Sequence, residues 1–379
     1  MATLWPMLPL APSAPGAAPE VAPTGGRPRR RRWIAFVVVI VLLACAITGA
    51  AVLQVPYVAL RPGSVRPVTE RVQVDGADRF PPDESIAYTT VSVGGTTMLE
   101  ALAGWLDDDV DVLPEERVRG DRSEEENRRY NAELMDASKL TAVAVALDRL
   151  GEDVEITTTG TIVRQIADDA PAAEVLEIDD VIVAVDGNDV DVPGELGELL
   201  QEGGPGATHT LTVERPAGSD DRVDVEVTTI ASPDEPDRAL IGIAPEDRIT
   251  DFDFPVDVSI DSGDVGGPSA GLAFTLAILD VLTPGELTGG HRVAATGTMS
   301  LDGSVGPVGG GAQKGIAVRD AGYEVFLVPS DELEEVQEAV GDDVQVIAVD
   351  SLDEALDALD ALGGNTGSLL SSGGTAAAP

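Results

Sequence analysis

Cysteine, histidine, lysine and aromatic residues are all scarce in this chain of 379 residues, and each shortage removes a class of chemistry. Cys45 stands alone, so neither an intrachain disulfide nor a thiolate metal cluster can form. His209 and His291 are the two histidines, too few for a typical zinc site and without an HExxH pattern, so no metal site and no cofactor are expected. Aromatics make up 3% of the residues against a hydrophobic content of 43%, so the cores must be built from Ala, Val, Leu and Ile. Positive charge is short as well. Lys and Arg number 24 against 67 Asp and Glu, and the net charge of −43 excludes a nucleic-acid partner, because phosphate binding needs a basic face. The acid is read as solvated surface. Two lysines occur, Lys139 and Lys314.

What is present begins with a membrane signal. Residues 1–32 are rich in Pro, Ala and Gly, with too little apolar periodicity to fold, and are expected to be a disordered cytoplasmic tail. Residues 33–53 carry no charge over 21 positions, matching the ~20 residues a helix needs to cross a bilayer. Arg27, Arg29, Arg30, Arg31 and Arg32 precede this run and no arginine follows until Arg61, so the positive-inside rule places everything after it outside the cytoplasm. The expectation is a single-pass cell-membrane protein. A cleaved signal peptide, with "ACAITGA" as its small-residue site, is one alternative. A lipoprotein is another, with Leu42-Leu43-Ala44-Cys45 as an imperfect lipobox. The apolar residues that continue to Leu53 favour the span.

Residues 54–136 suggest an extended exit from the membrane, a strand and short helix in "TTVSVGGTTMLEALAGWL", and an exposed charged stretch in "PEERVRGDRSEEENRRYN". Over 137–150 apolar residues recur at helical spacing up to Gly151, with Lys139 as a surface lysine. Short strands then follow: "GTIVRQIA", "VIVAVDG" with its tight turn, a brief helix in "PGELGELLQEG", and two alternating strands joined by a Pro-Ala-Gly turn at 216–218. His209, in "THTLTV", is read as a solvent-facing strand residue. The run "APAAEVLEIDDVIVAVDGNDV" resembles a PDZ domain of the bacterial protease type, placing a PDZ-like domain with its preceding helix at 137–235. Asp179 stands where that family usually has Gly, and no carboxylate-binding loop is recognisable. The module is therefore either a peptide-capturing domain or a spacer.

Two glycine-rich turns carry the chemistry. In "DSGDVGGPSAGLAFTLAILD" the glycines lead through Gly267 and Pro268 to Ser269, and the helix expected from about Ser269 to Leu282 has no polar face and must be buried. Ser269 then sits at a helix N-terminus, where open N–H groups can hold an oxyanion. A serine needs a base to become a nucleophile. His291 precedes a strand beside Arg292 and is read as a loop residue. Lys314 follows the second turn, "GPVGGGAQKGIAV", and on a helix over 312–321 it shares a face with Ala317, Val318 and Ala321. An inward lysine is desolvated, which favours its neutral form and lets it accept a proton. A serine helix cap and a snorkelling lysine would account for the same two residues separately.

The order "GGPSAG", "AATGTMSLDGSVGPVGG", a lysine three residues past the glycines, then "AG", closely resembles the proteolytic domain of Lon-type serine proteases over 240–362. With the span and the PDZ-like module, the chain resembles the membrane-bound PDZ and Lon-domain proteins of Gram-positive bacteria. The resemblance implies an α+β multidomain protein with an N-terminal transmembrane helix and a C-terminal α/β domain of the Lon-protease type. It implies Ser269 as nucleophile, Lys314 as general base, Thr296 as the hydroxyl that orients the lysine, Gly267 and Pro268 as supporting residues, and the Ser269 N–H as an oxyanion donor. Gly266 and Thr298 depart from classical members, which have Asp and Glu there. Classical members also carry an ATPase, but Gln313 before Lys314 and Gly315 after it break the GxxxxGK[ST] pattern, so no ATP is expected. Protein or peptide substrates, and a homo-oligomer, are implied. The opposing reading is a non-catalytic scaffold that binds peptides or membrane proteins. Residues 363–379 are expected to be a disordered tail.

Overall fold

The computed structural model describes residues 28–372 apart from 81, 83–85, 108, 121, 168, 216–220 and 234, with side chains from 32 to 370. The expectations for residues 1–27, the turn at 216–218 and residues 373–379 lie outside the described residues. Helix α1 (Pro28–Val52) opens inside the segment read as a tail, because proline suits a first helical turn and the arginines have helix propensity. Its window Arg32–Val52 has mean hydropathy 2.8 and buries nothing in the protein.

The chain then runs through α2 (Met98–Gly104), α3 (Glu115–Arg119) and α4 (Glu124–Arg149). The charged stretch is exposed, as expected, and largely helical. Ser123 and Glu126 form a reciprocal capping box that starts α4, thirteen residues before the expected helix at 137. After α5 (Pro193–Gly203) come α6 (Gly271–Leu282), α7 (Gly311–Asp320), α8 (Leu333–Val340), α9 (Leu352–Ala361) and α10 (Gly367–Ser372). The last helix lies within the segment expected to be disordered. Its Leu369 is buried in the main core, which orders the chain there.

Residues 54–136, read as a separate region, are part of the C-terminal domain and supply three strands of its sheet. Its six-stranded sheet runs in the order Gln345–Ala348, Val325–Val328, Val293–Ala295, Ala87–Thr97, Gln54–Pro67, Asp111–Pro114. The first four strands are parallel neighbours, and the last two are added antiparallel. Alternation along each strand separates two cores. Tyr88, Val325 and Leu327 face α4 and α6, in a core with Met135, Leu147, Leu272 and Phe274. Ala87, Phe326 and Val328 face Val318, Val336 and Val340 of α7 and α8. Helix α4 therefore belongs to this domain and not to the PDZ-like unit with which it was grouped.

The β-rich unit is an insertion between α4 and α6. Its sheet runs Ile243–Asp253, Glu155–Ile166, Val181–Val185, Thr208–Glu214, Arg222–Thr228, with α5 packed on a core of Val163, Ile182, Leu200, Leu211 and Val213. The expected strands and helix are all present. His209 differs from expectation: it is buried, because it shares the parity of Leu211 and Val213 on its strand, and its Nδ1 lies 2.7 Å from Asp186 Oδ2. Asp179 has φ +69°, the left-handed conformation that explains a glycine preference there. An aspartate tolerates it, and Asp179 Oδ1 accepts from Arg164 at 2.9 Å.

Candidate active site

Helix α6 is buried from Gly271 to Val281, so the turn before it is pinned to the domain interior. The helix starts two residues later than expected. Ala270 is its N-cap, and Gly271 N–H closes a turn onto Pro268 O at 3.2 Å, leaving Ser269 on the turn itself. Gly267 has φ +96°, open to glycine and strained for other residues. Its N–H donates to Asn131 O at 2.7 Å, while Ser138 Oγ donates to Pro268 O at 3.0 Å, so α4 clamps the turn from one side. From the other side Gly297 N–H and Thr296 Oγ1 donate to Ser269 O at 2.9 and 3.1 Å. A Cβ on Gly271 would come within 2.8 Å of Met299 N, so the close approach depends on glycine. Among the described residues neither the Ser269 nor the Ala270 N–H donates to a backbone acceptor.

Lys314 enters from α7, whose N-cap Gly310 is left-handed at φ +69°. Its side chain is 2% exposed, beside the buried Ala317 and Val318; Ala321, expected on the same face, is exposed because the helix ends there. Lys314 Nζ donates to Thr296 Oγ1 at 3.1 Å. The Thr296 hydroxyl has one proton, and it goes to Ser269 O, so this oxygen must act as acceptor toward the amine. Burial lowers the Lys314 pKa from 10.5 to about 8, against an opposing pull from the Glu332 carboxylate. Burial in turn raises the pKa of Glu332, whose Oε1 accepts from Val308 N–H at 3.4 Å and helps shape the turn before the lysine.

Ser269, Lys314, Gly267 and Pro268 line one cavity of about 1280 Å³, and Thr296 joins the serine backbone to the lysine amine. Among the described residues no hydrogen bond links Ser269 Oγ to Lys314 Nζ. Asn131, Ser138 and Glu332 were not found from sequence. The capping box of α4 was a usable signal for the first two, but Glu332 lies in an ordinary acidic run and carries none.

A PDZ module inserted into an α/β domain with a buried lysine beside a serine turn is the class of protein these observations define. Residues 244–361 match the Lon protease (S16) C-terminal proteolytic domain, and residues 148–229 match the PDZ domain. The chain combines these two domains. Lon protease of Campylobacter concisus (strain 13826) is 27% identical over 199 residues, covering 52% of this chain and 24% of that protein. Lon protease of Vibrio parahaemolyticus is 41% identical over 93 residues, covering 24% and 12%. The chain thus spans a quarter or less of the length of these curated relatives. Among solved structures, the PDZ domain of an SdrC-like protein from Listeria monocytogenes is 25% identical over 24% of this chain and 92% of that one, with a TM-score of 0.21.

Proposed function

We propose that the protein is a membrane-anchored serine endopeptidase that works without ATP, with Ser269 as nucleophile and Lys314 as general base. The observation that carries this reading is the dry Lys314 amine, held on Thr296 in the cavity that Ser269 lines. A neutral amine that donates one proton to Thr296 keeps a lone pair for the serine hydroxyl. Rotation of Ser269 about χ1 brings Oγ onto that lone pair when substrate fills the cavity. Lys314 takes the Oγ proton as Oγ bonds the scissile carbonyl carbon, and the oxyanion is met by the N–H groups of Ser269 and Ala270. The ammonium then gives its proton to the leaving amine, and water enters by the reverse path to release the acyl group.

The proteolytic-domain match supports peptide-bond hydrolysis, and the broken nucleotide-loop pattern supports independence from ATP. Helix α1 supports a span, with the arginines on the cytoplasmic side and the catalytic domain outside. In the PDZ module, α5 and the edge strand Ile243–Asp253 border a groove of about 930 Å³ lined by Leu196, Leu200, Ile241 and Ile243. An edge strand, paired on one side with Glu155–Ile166, beside an apolar helix face suits an extended peptide, which favours capture over a spacer role. A homo-oligomer is part of the same proposal by its likeness to Lon-type domains.

Ser269→Ala is expected to abolish hydrolysis of a casein-type unfolded substrate with an unchanged circular dichroism spectrum. A serine-acylating probe should label the wild type at Ser269, and labelling should be lost in both Ser269→Ala and Lys314→Ala. Equal hydrolysis by wild type and Ser269→Ala would falsify the assignment.

A further inference from the structure

Helix α2 is built inside out. Its small residues Ala101 and Gly104 are buried, and a Cβ on Gly104 would press on Val112 Cγ2. Its large apolar residues point the other way. Met98, Leu99 and Leu102, with Trp105 and Leu106 just beyond the helix, are all exposed, Trp105 at 57% and Leu106 at 88%. Spaced i, i+1, i+4, i+7 and i+8, they form one helical stripe. Elsewhere in the described domains large exposed apolar residues are scattered, which is ordinary for a protein surface. A contiguous stripe is not.

The stripe is continuous with the end of α1. Met98 N–H donates to Leu53 O at 2.8 Å, so the first turn of α2 is hydrogen-bonded to the residue just past the span. Tyr57, four residues further on, packs edge-on against Trp105 with ring centroids 5.8 Å apart. Amphipathic aromatic rings are enriched at the boundary between headgroups and acyl chains. The one polar side chain of α2, Glu100, is turned to the helix N-terminus, where it forms a capping box with the N-cap Thr97: Thr97 N–H donates to Glu100 Oε2 at 2.8 Å and Glu100 N–H to Thr97 Oγ1 at 3.3 Å.

We propose that α2 with Trp105 and Leu106 is a membrane-seating surface that lies in the interface of the bilayer crossed by α1. The proposal rests on the reading of α1 as a retained span. The occupant is lipid because the face grows directly from that helix. The charges along this stretch of sequence, Glu100, Asp107, Asp108 and Asp109, are acidic, with Arg61 the opposing cation near Glu100, so seating is apolar in origin and gains little from anionic lipid. One consequence concerns catalysis. Val93, on the strand that leads into α2, lines the cavity of Ser269 and Lys314. Five extended residues span about 17 Å, so a seated α2 holds that cavity rim close to the bilayer, where juxtamembrane segments of other membrane proteins are within reach.

The test uses the full chain in phosphatidylcholine vesicles that contain lipids brominated near the headgroup end or near the middle of the acyl chain. A Trp5→Phe, Trp33→Phe double substitution leaves Trp105 as the single tryptophan, and a Trp5→Phe, Trp105→Phe protein leaves Trp33 to report the span. A face lying about 5–10 Å into the interface predicts that Trp105 is quenched, more by the shallow bromines than by the deep ones, with no increase when phosphatidylglycerol is added. Quenched Trp33 with unquenched, water-like Trp105 emission overturns the proposal and leaves the span standing. Unquenched, blue-shifted Trp105 assigns the stripe to a second copy of the chain and also overturns it. Unquenched Trp33 removes the span reading and the proposal with it. In a second measurement, Leu102→Ser with Leu106→Ser should slow cleavage of a membrane-tethered peptide about tenfold while cleavage of the same peptide in solution stays unchanged; equal rates on the tethered peptide count against seating.

Discussion

At the scale of single residues, proton accounting decides what Lys314 can do. Thr296 Oγ1 spends its one proton on Ser269 O, which commits it to accept from Nζ and turns the amine toward the cavity. Desolvation brings the amine to a pKa of about 8. In the role proposed for it the amine must be neutral, so hydrolysis should rise about tenfold per pH unit below that value and level off above it. A pH profile of kcat/KM on a soluble peptide checks this, and a flat profile between about pH 6 and 9 would remove the lysine from the role. Lys314→Arg should be inactive at every pH, because a guanidinium keeps its proton. Thr296→Val should lower kcat by about 10- to 100-fold with little change in KM, since the amine loses its acceptor while Gly297 N–H still holds Ser269 O.

The two glycine turns that carry Ser269 and Lys314 were legible in the sequence because glycine runs that lead into helices are local signals. His209 was legible too, had its parity with Leu211 and Val213 been followed in place of its polarity. Glu332 was not, since its effect on Lys314 acts through space across a turn.

Among the elements, α6 shows how an apolar run can hide a polar cost. Asp280 is fully buried; its Oδ1 accepts from Leu287 N–H at 2.9 Å, and Oδ2 has no hydrogen-bond partner among the described residues. Burial raises its pKa from 3.8 to about 7. A folded-state pKa above the unfolded one means that the folded chain holds the proton more tightly. The stabilisation is complete below about pH 4 and lost as pH rises through 7, with a slope of up to about 1.4 kcal/mol per pH unit. Asp280→Asn keeps the acceptor for Leu287 and removes the ionisation. Its stability relative to wild type, measured by urea unfolding, should therefore increase from pH 5 to pH 8; a constant difference would mean that Asp280 is already solvated. Helix α4 carries the opposite lesson. Its charged first half was read only as an exposed stretch with no helix assigned, although Ser123 and Glu126 held a capping signature, because charge was weighed above local hydrogen bonding.

For the whole molecule, the insertion of the PDZ module is the feature with most consequence. Glu155 pairs with Asp253, so the module leaves and re-enters the proteolytic domain at neighbouring points. Replacing residues 156–252 by a short Gly-Ser linker should leave a folded domain that cleaves small peptides at the wild-type rate, with slower cleavage of unfolded protein substrates. Loss of peptide cleavage in a folded deletion protein would show that the module shapes the catalytic cavity itself.

By itself the sequence determined the apolar helix near the N-terminus, the strands and helix of the PDZ module, and the two turns that carry Ser269 and Lys314. These follow from local periodicity, from turn residues and from chemistry confined to short segments. Tertiary structure alone decided that residues 54–136 complete the sheet of the C-terminal domain, that α4 clamps the serine turn, and that α2 points its large apolar side chains outward. Strand pairing between residues some two hundred positions apart, as between Ala87 and Ala294, is set by which faces can be buried together. That choice depends on the whole chain, and no single segment records it.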